Sequence, residues 1–271
     1  MNHLPIPLGR NTDLYEAASM PKSIKKLGVR WKKRLRISFL VIMMAAILAP
    51  IVLAWTGNIW IDENKLAAVQ QSNSYVKLDE MPDHVWKAFV AIEDHRFMQH
   101  PGVDPVGLSR AIWVDIKEGA YVQGGSTITM QLARNLFLTN DKTMTRKVKE
   151  IAIALQLEQR YSKKELLEIY LNVIYFGHGK YGIGEAVPFY FGKKATETGN
   201  RAVTLGEAAM LASLPKGPER YSPVKNWDRA KQRQAVVLNR MNELDVIDQS
   251  ESKLAKNEQI YVVPTAKRAA K

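Results

Sequence analysis

Residues 91–102 read Ala-Ile-Glu-Asp-His-Arg-Phe-Met-Gln-His-Pro-Gly, which sets two adjacent carboxylates, Glu93 and Asp94, at the end of an apolar run. A helix that ends on Glu-Asp can present a carboxylate at the rim of a cleft, where a proton-transfer group has to sit. Alone, the pair fits an ordinary solvated helix end equally well. A second set lies downstream, where Arg146, Lys149 and Glu150 fall at i, i+3 and i+4 and so share a helix face. Lys142 lies near the start of that helix and Arg134 on the preceding one. This pattern fits either a solvated face with weak ion pairs or a cationic pocket for phosphate, with Glu150 orienting it. Between the two sets, Gly124-Gly125-Ser126-Thr127 reads as a turn entering a helix, and it lacks the lysine of a phosphate-cradling Walker loop. His100 fits a turn or packing histidine. No HExxH pair, EF-hand loop or GxSxG elbow is present, and the absence of cysteine excludes a thiolate nucleophile or Cys-ligated metal.

The elements that must position these residues read as helices. Val85, Phe89 and Ile92 fall at i, i+4 and i+7 after Pro82, which predicts a helix running to Glu93. Leu108, Ile112 and Ile116 repeat the pattern with Trp113 beside them, and these apolar residues fit either a core or a segment that dips into a membrane surface. Ser126 or Thr127 can cap a helix through Ile128, Leu132 and Asn135. Residues 143–160 form the clearest helix, with Val148, Ile151, Ala152 and Leu155 on one face. Another starts near Ser162, whose Ser-Lys-Lys-Glu resembles a capping box with Glu165. Glycines 177, 179, 182 and 184 mark a long turn, and helices follow around 204–214 and 227–244. No sustained period-2 strand and no repeat is visible.

Charge and hydropathy divide the 271 residues further. Residues 1–36 carry nine Lys/Arg against Asp13 and Glu16, leaving only +5 of the net +12 to the rest, so the basic pI is poor grounds for nucleic acid binding. Residues 37–56 hold no charge and, as a helix, would span roughly 30 Å, the thickness of a bilayer core. Trp55 and Trp60 sit at its far end, and the lysines and arginines before it place residues 1–36 in the cytoplasm by the positive-inside rule. The expected organisation is a basic cytoplasmic tail (1–36), a transmembrane helix (37–57), a polar linker (58–80) with some extended structure at 75–78, one mainly α-helical exterior domain (81–250) and a Lys-rich, frayed tail (251–271).

Read in order, the motifs resemble one family. Glu93-Asp94-x-x-Phe97-x-x-His100-x-Gly102 is followed by Gly124-Gly125-Ser126-Thr127-Ile128-Thr129-x-Gln131-x-x-Arg134-Asn135. Then come Arg146-Lys147-x-x-Glu150, Tyr161-Ser162-Lys163 leading to Tyr170-Leu171-Asn172, Tyr190-Phe191-Gly192-Lys193, and Glu207-Ala208 with Pro218 to Pro223. This series resembles the peptidoglycan glycosyltransferases of family 51, the polymerase domain of class A penicillin-binding proteins. The resemblance spans about residues 75–245 and points to the monofunctional members, since the family's transpeptidase domain would need a few hundred further residues. Met130 stands where the family often has a second Gln, and Arg134 where it often has Lys, which keeps the charge but changes the geometry.

The resemblance implies a lysozyme-like helical fold with a small membrane-proximal lobe. It also implies an enzyme of the bacterial cytoplasmic membrane, catalytic on the outer face, that joins lipid II to a lipid-linked glycan. Inversion at the sugar would release undecaprenyl diphosphate. Glu93 would be the general base, its pKa raised beside Phe97 and Asp94. Arg134, Lys142, Arg146, Lys147 and Lys149 would neutralise the diphosphate, with Glu150 ordering them or helping to hold a divalent cation, Mg2+ or Mn2+. Asp94, Phe97, His100, Ser126, Thr127, Gln131 and Asn135 complete the expected substrate site. The expected partners are the membrane and proteins of cell-wall synthesis and division, with no nucleic acid. Two other readings of the same residues are a lytic transglycosylase or muramidase, and a non-catalytic membrane-anchored scaffold.

Overall fold

The computed structural model describes residues 56–118, 124–139, 141 and 143–263, with Ser38, Met44 and Val52 as single positions. The chain divides into a unit of residues 1–49 and a unit of residues 50–271, and every helix named here belongs to the second. The basic tail, nearly all of the apolar run 37–56, and Lys142 lie outside the described residues. No helix among the described residues is long and apolar enough to cross a membrane.

The second unit is mainly helical, as its periodicity predicts. Ten α-helices are described: α1 Glu63–Gln70, α2 Asp83–Glu93, α3 Pro105–Glu118, α4 Ile128–Phe137, α5 Met144–Arg160, α6 Lys163–Val173, α7 Ile183–Phe191, α8 Leu205–Ala212, α9 Trp227–Glu243 and α10 Gln249–Asn257. The only extended pairing among the described residues is a single bridge between Tyr175 and Tyr181. Helix starts follow local chemistry. Thr127 and Thr143 accept the N–H of the residue three ahead, and Ser162/Glu165, Thr204/Glu207 and Asp248/Glu251 close reciprocal capping boxes. Each such cap is worth about 1 kcal/mol.

The core gathers α2, α4, α6, α8 and α9 around Phe89, Phe97, Tyr170, Phe176 and Tyr190, all fully buried. The side chains of α2 that face it are Val85, Ala88, Phe89 and Ala91, with Ile92 only partly covered. On α5 the buried face is Glu150, Ile153, Ala154 and Leu157 with Ala152, while Val148 stays 46% exposed. The apolar stripe therefore lies a residue or two from the one the spacing suggests. On α3 Leu108, Trp113 and Ile116 are exposed rather than core, Trp113 at 64% and Ile116 at 75%.

Three helices escape the sequence pattern. In the polar stretch after Asp62, α1 buries only Leu66, too little for a visible stripe. The chain then runs extended at Val76. There Asn172 replaces a strand neighbour: its Oδ1 accepts the Val76 N–H at 2.9 Å and its Nδ2 donates to the Val76 carbonyl at 2.8 Å. Helix α7 contains Pro188, which cannot donate to the Gly184 carbonyl, yet it is held because Ile183, Ala186, Val187, Tyr190 and Phe191 are buried. Gly184 itself is required, since a β-carbon there would lie 1.9 Å from the Ser74 carbonyl oxygen. Residues 251–263 are ordered against the domain rather than frayed. Helix α10 packs on α9 through Ser252 and Ala255, and the Val263 N–H donates to the Tyr190 carbonyl at 2.9 Å.

Candidate active site

Helix α2 ends at Glu93 because Asp94 leaves the helical region, with φ −161° and ψ 74°. Glu93 is half-buried at the floor of a cleft that Asp94, Ser126, Thr127 and Arg110 also line. One carboxylate oxygen accepts the Gln131 Nε2–H at 2.8 Å, and Gln131 Oε1 in turn accepts the Tyr170 hydroxyl at 3.3 Å. Tyr170 is fully buried and its phenol pKa is pushed well above the ordinary value by burial, so it remains a donor. That donor fixes the Gln131 amide with its N–H groups toward Glu93.

Burial raises the Glu93 pKa above the usual carboxylate value, while the Gln131 hydrogen bond and the charges of Arg233, Lys216 and Arg134 pull it back. Phe97 and Asp94 are engaged with other partners. The Phe97 ring is fully buried in the core, under the Lys163 ammonium at 4.3 Å. Asp94 turns its carboxylate to the His100 Nε2–H and to the Ile128 N–H, each at 3.0 Å. Asp94 thereby joins its loop to the start of α4, and Thr127 does the same by donating its hydroxyl to the Gly102 carbonyl. Gly102 has φ +90° and lies against the Ala154 carbonyl, a position few other residues could fill. Asp94, Phe97, His100 and Thr127 thus build the wall of the cleft, and only Asp94 and Thr127 among them also line it.

The cationic set starts on the first two turns of α5. Lys147 Nζ donates to Ser126 Oγ at 2.7 Å and to Glu150 Oε2 at 2.9 Å. Arg146 Nε stands 3.4 Å from the other Glu150 oxygen, and Glu150 is only 1% exposed. Lys149, expected on this face, instead lays its ammonium over the Trp60 ring at 5.4 Å. The reason is helical: residues three and four before Glu150 reach it, whereas its immediate neighbour points about 100° away. Ser126 belongs both to this cluster and to the lining of the Glu93 cleft, so Glu93 and the cations meet at one place. Arg134 is half-buried and close enough to stabilise charge on Glu93, whereas Asn135 is exposed. Met130, the departure from the Gln pattern, is core.

Sequence reasoning missed Lys216 and Arg233, whose charges reach Glu93, and the part Tyr170 plays behind Gln131. Arg233 left one trace: on α9 it precedes buried Gln234 and follows buried Ala230, so its charge stands at the edge of the core. A test of the relay follows. Because the Gln131 donor favours the ionised form of Glu93, Gln131→Leu is expected to raise the Glu93 pKa. The acid limb of the pH–rate profile would then move to higher pH, and an unmoved limb would show that the bond does not tune the base.

The Glu93–Gln131 and Lys147–Glu150 arrangement lies inside a stretch with known relatives. The chain is 41% identical over 241 residues to penicillin-binding protein 1F of Bacillus subtilis, covering 82% of this chain and 33% of that one. It is 46% identical over 192 residues to penicillin-binding protein 1A of Aquifex aeolicus, covering 71% of this chain and 26% of the other. The chain therefore spans about a third or less of these relatives. A protein of Cupriavidus necator named as a transglycosylase is 40% identical over 221 residues, 82% of this chain and 93% of its own length. The sequence profile of the transglycosylase family matches residues 62–242, which include Glu93, Gln131, Lys147 and Glu150, and the chain belongs to that family.

Proposed function

We propose that this protein is a membrane-anchored peptidoglycan glycosyltransferase that polymerises lipid II, with a lysozyme-like helical domain, a small membrane-proximal lobe and one transmembrane helix. The observation that carries this reading is the meeting of a carboxylate of raised pKa and a Glu150-held cation pair at Ser126. In this reading Glu93 takes the proton of the attacking 4-hydroxyl as that oxygen bonds to the anomeric carbon of the donor. The anomeric carbon–oxygen bond to diphosphate breaks with inversion, and its electron pair leaves on the diphosphate. Arg146 and Lys147 meet the charge that develops there, which replaces a general acid.

A lytic transglycosylase or muramidase would need the carboxylate but has no anionic leaving group for the cations to serve. Incubation with purified sacculi and, separately, with labelled lipid II discriminates the two: a polymerase elongates lipid II and leaves sacculi intact. Release of soluble muropeptides from sacculi would overturn the proposal.

Divalent metal fits this site poorly as a protein-held ion. No three His, Asp or Glu side chains cluster among the described residues, and Glu150 is already held by two cations. Such an ion would have to be carried mainly by the diphosphate oxygens of the substrate.

Membrane contact in this reading extends to the exposed face of α3, where Val106, Leu108, Trp113 and Ile116 present apolar surface beside Arg110 and Lys117. Trp113→Glu is expected to weaken the binding of residues 58–271 to anionic liposomes by about tenfold or more. Equal binding of the variant would place this face away from the lipid.

A further inference from the structure

One residue of the glycine-marked turn before α7 keeps a side chain on an unusual backbone. His178, between Gly177 and Gly179, has φ +53°, in the left-handed region that residues with a side chain seldom adopt. Its ring lies on α7, 5.2 Å centre to centre from Phe189 and edge-on to Tyr190 at 6.1 Å. A hydrogen bond of 2.8 Å joins its Nε2 to the hydroxyl of Ser222, which is fully buried and also accepts the Val224 N–H at 3.3 Å. The His178 N–H donates to a Glu219 carboxylate oxygen at 3.4 Å, and Glu219 is paired with Lys225. Gly177 is tight against Pro218, since a β-carbon there would lie 3.3 Å from the Pro218 carbonyl oxygen. The turn therefore grips a second segment at Pro218, Glu219 and Ser222.

That segment is the connection between α8 and α9, both of which pack on α2, the helix that ends at Glu93. The connection is wound on itself. The Gly217 N–H donates to the Leu214 carbonyl, the Tyr221 N–H to the Gly217 carbonyl and the Asn226 N–H to the Ser222 carbonyl, at 2.9, 2.9 and 2.8 Å. The middle bond links the neighbour of Ser222 to the neighbour of Lys216, so a constraint at Ser222 is carried to Lys216. The Tyr221 ring lies 5.9 Å from the Arg233 guanidinium on α9. Lys216 and Arg233, with Arg134 from α4, are the charges that favour ionised Glu93. Arg233 is fixed by its own helix. Lys216 is exposed, so the connection beneath it sets where its ammonium stands.

We propose that His178 is a positioning residue for the reaction: by pinning the α8–α9 connection to α7 through Ser222, it sets where the Lys216 ammonium stands toward Glu93. The inference rests on the polymerase reading above, in which Glu93 is the base. His178 acts through the connection and not on the reacting groups themselves. The backbone at 178 fits this role. A glycine would adopt φ +53° more readily but could not reach Ser222, so the turn keeps an imidazole where its backbone favours no side chain.

The test uses the full-length protein in detergent. The Glu93 carboxyl is titrated by carbon-13 NMR, and the pH dependence of lipid II turnover is measured alongside. His178→Asn accepts the left-handed backbone but is too short to reach Ser222, and His178→Phe keeps a ring on α7 without the hydrogen bond. Both are expected to raise the Glu93 pKa, because a cation that favours its ionised form has moved away. The acid limb of the rate profile then moves to higher pH, and turnover on that limb falls about two- to threefold, the scale of one exposed charge displaced in water. His178→Gln, whose amide can reach Ser222, is expected to restore most of the wild-type titration. In a Lys216→Met background, His178→Asn should move the Glu93 titration no further, an outcome that a merely structural role does not produce. His178→Phe decides the matter if His178→Asn fails to fold. A Glu93 titration unmoved in His178→Phe would overturn the proposal, as would an undiminished effect of His178→Asn in the Lys216→Met background. If wild type consumes no lipid II, it is the polymerase reading that fails, and the Glu93 titration still decides the role of His178.

Discussion

Glu93→Gln is expected to lower lipid II polymerisation by about 10²–10⁴-fold, the usual contribution of a positioned general base, in a protein that melts at the wild-type temperature or above. The two outcomes share one cause. Burial raises the Glu93 pKa, so the folded state holds a proton there over a pH range in which the unfolded chain has lost it. The contribution of Glu93 to stability is complete below the unfolded pKa and is lost as pH rises through the raised folded value. At neutral pH the ionised carboxylate therefore costs stability, and a neutral glutamine removes that cost. Gln131 can still donate to the new amide oxygen, so the local fold is retained. Calorimetric melting at pH 5 and pH 8 checks the sign: the stabilisation by Glu93→Gln should be larger at pH 8. A variant destabilised at both values would mean that the carboxylate is a structural ion-pair member and not a strained base.

Glu150→Gln is the second large effect. Glu150 is almost fully buried and holds two consecutive cations, Arg146 and Lys147, from the turn before it. Losing its charge leaves Lys147 and Arg146 facing at best a neutral amide oxygen in place of a carboxylate, so the groups that would meet the leaving diphosphate are held less firmly. Removal of one preorganised charge-stabilising group typically costs about 10²–10³ in turnover, and a similar loss is expected here. The stability loss should be near the lower end of about 1.5–3 kcal/mol for charge-assisted hydrogen bonds, because the Arg146 and Lys147 side chains are 19% and 34% exposed and partly rehydrate. Lys149→Ala is the control. Its ammonium rests on Trp60, and turnover within about threefold of wild type is expected, against a loss like that of Glu150→Gln if all the α5 cations act together.

That control also shows where the sequence could and could not be read. The helices bearing Glu93 and Glu150 were legible because their apolar residues recur at helical spacing, and the helix after them because Ser162 and Glu165 mark its start. The direction of a charged side chain was less legible. Spacing put Lys149 with Glu150, but the residues that reach a helical carboxylate are those at i−3 and i−4, so Lys147 and Arg146 flank it and Ser126 receives the other Lys147 hydrogen bond. The Glu93–Asp94 pair was ambiguous for the same reason. Only the long-range contacts, to Gln131 for one and to His100 and Ile128 for the other, separate a carboxylate facing the cleft from one that holds the wall. Lys216 and Arg233 were invisible because they come to Glu93 from segments more than 100 residues away in the chain, where nothing in the local pattern marks a partner. Helices α7 and α10 were missed on composition, through Pro188 in one and a Lys-rich, weakly apolar stretch in the other.

The most direct measurement of the central claim is the conversion of labelled lipid II by wild type and Glu93→Gln, side by side, across pH 4.5–9. The expected result is a ladder of glycan products from wild type, with an acid limb above the ordinary carboxylate pKa and lipid diphosphate released in step. Glu93→Gln is expected to give no more than about a hundredth of the wild-type product at any pH, despite its intact fold. Glycan products from Glu93→Gln at the wild-type rate, or a wild type that leaves lipid II unpolymerised throughout, would contradict the account.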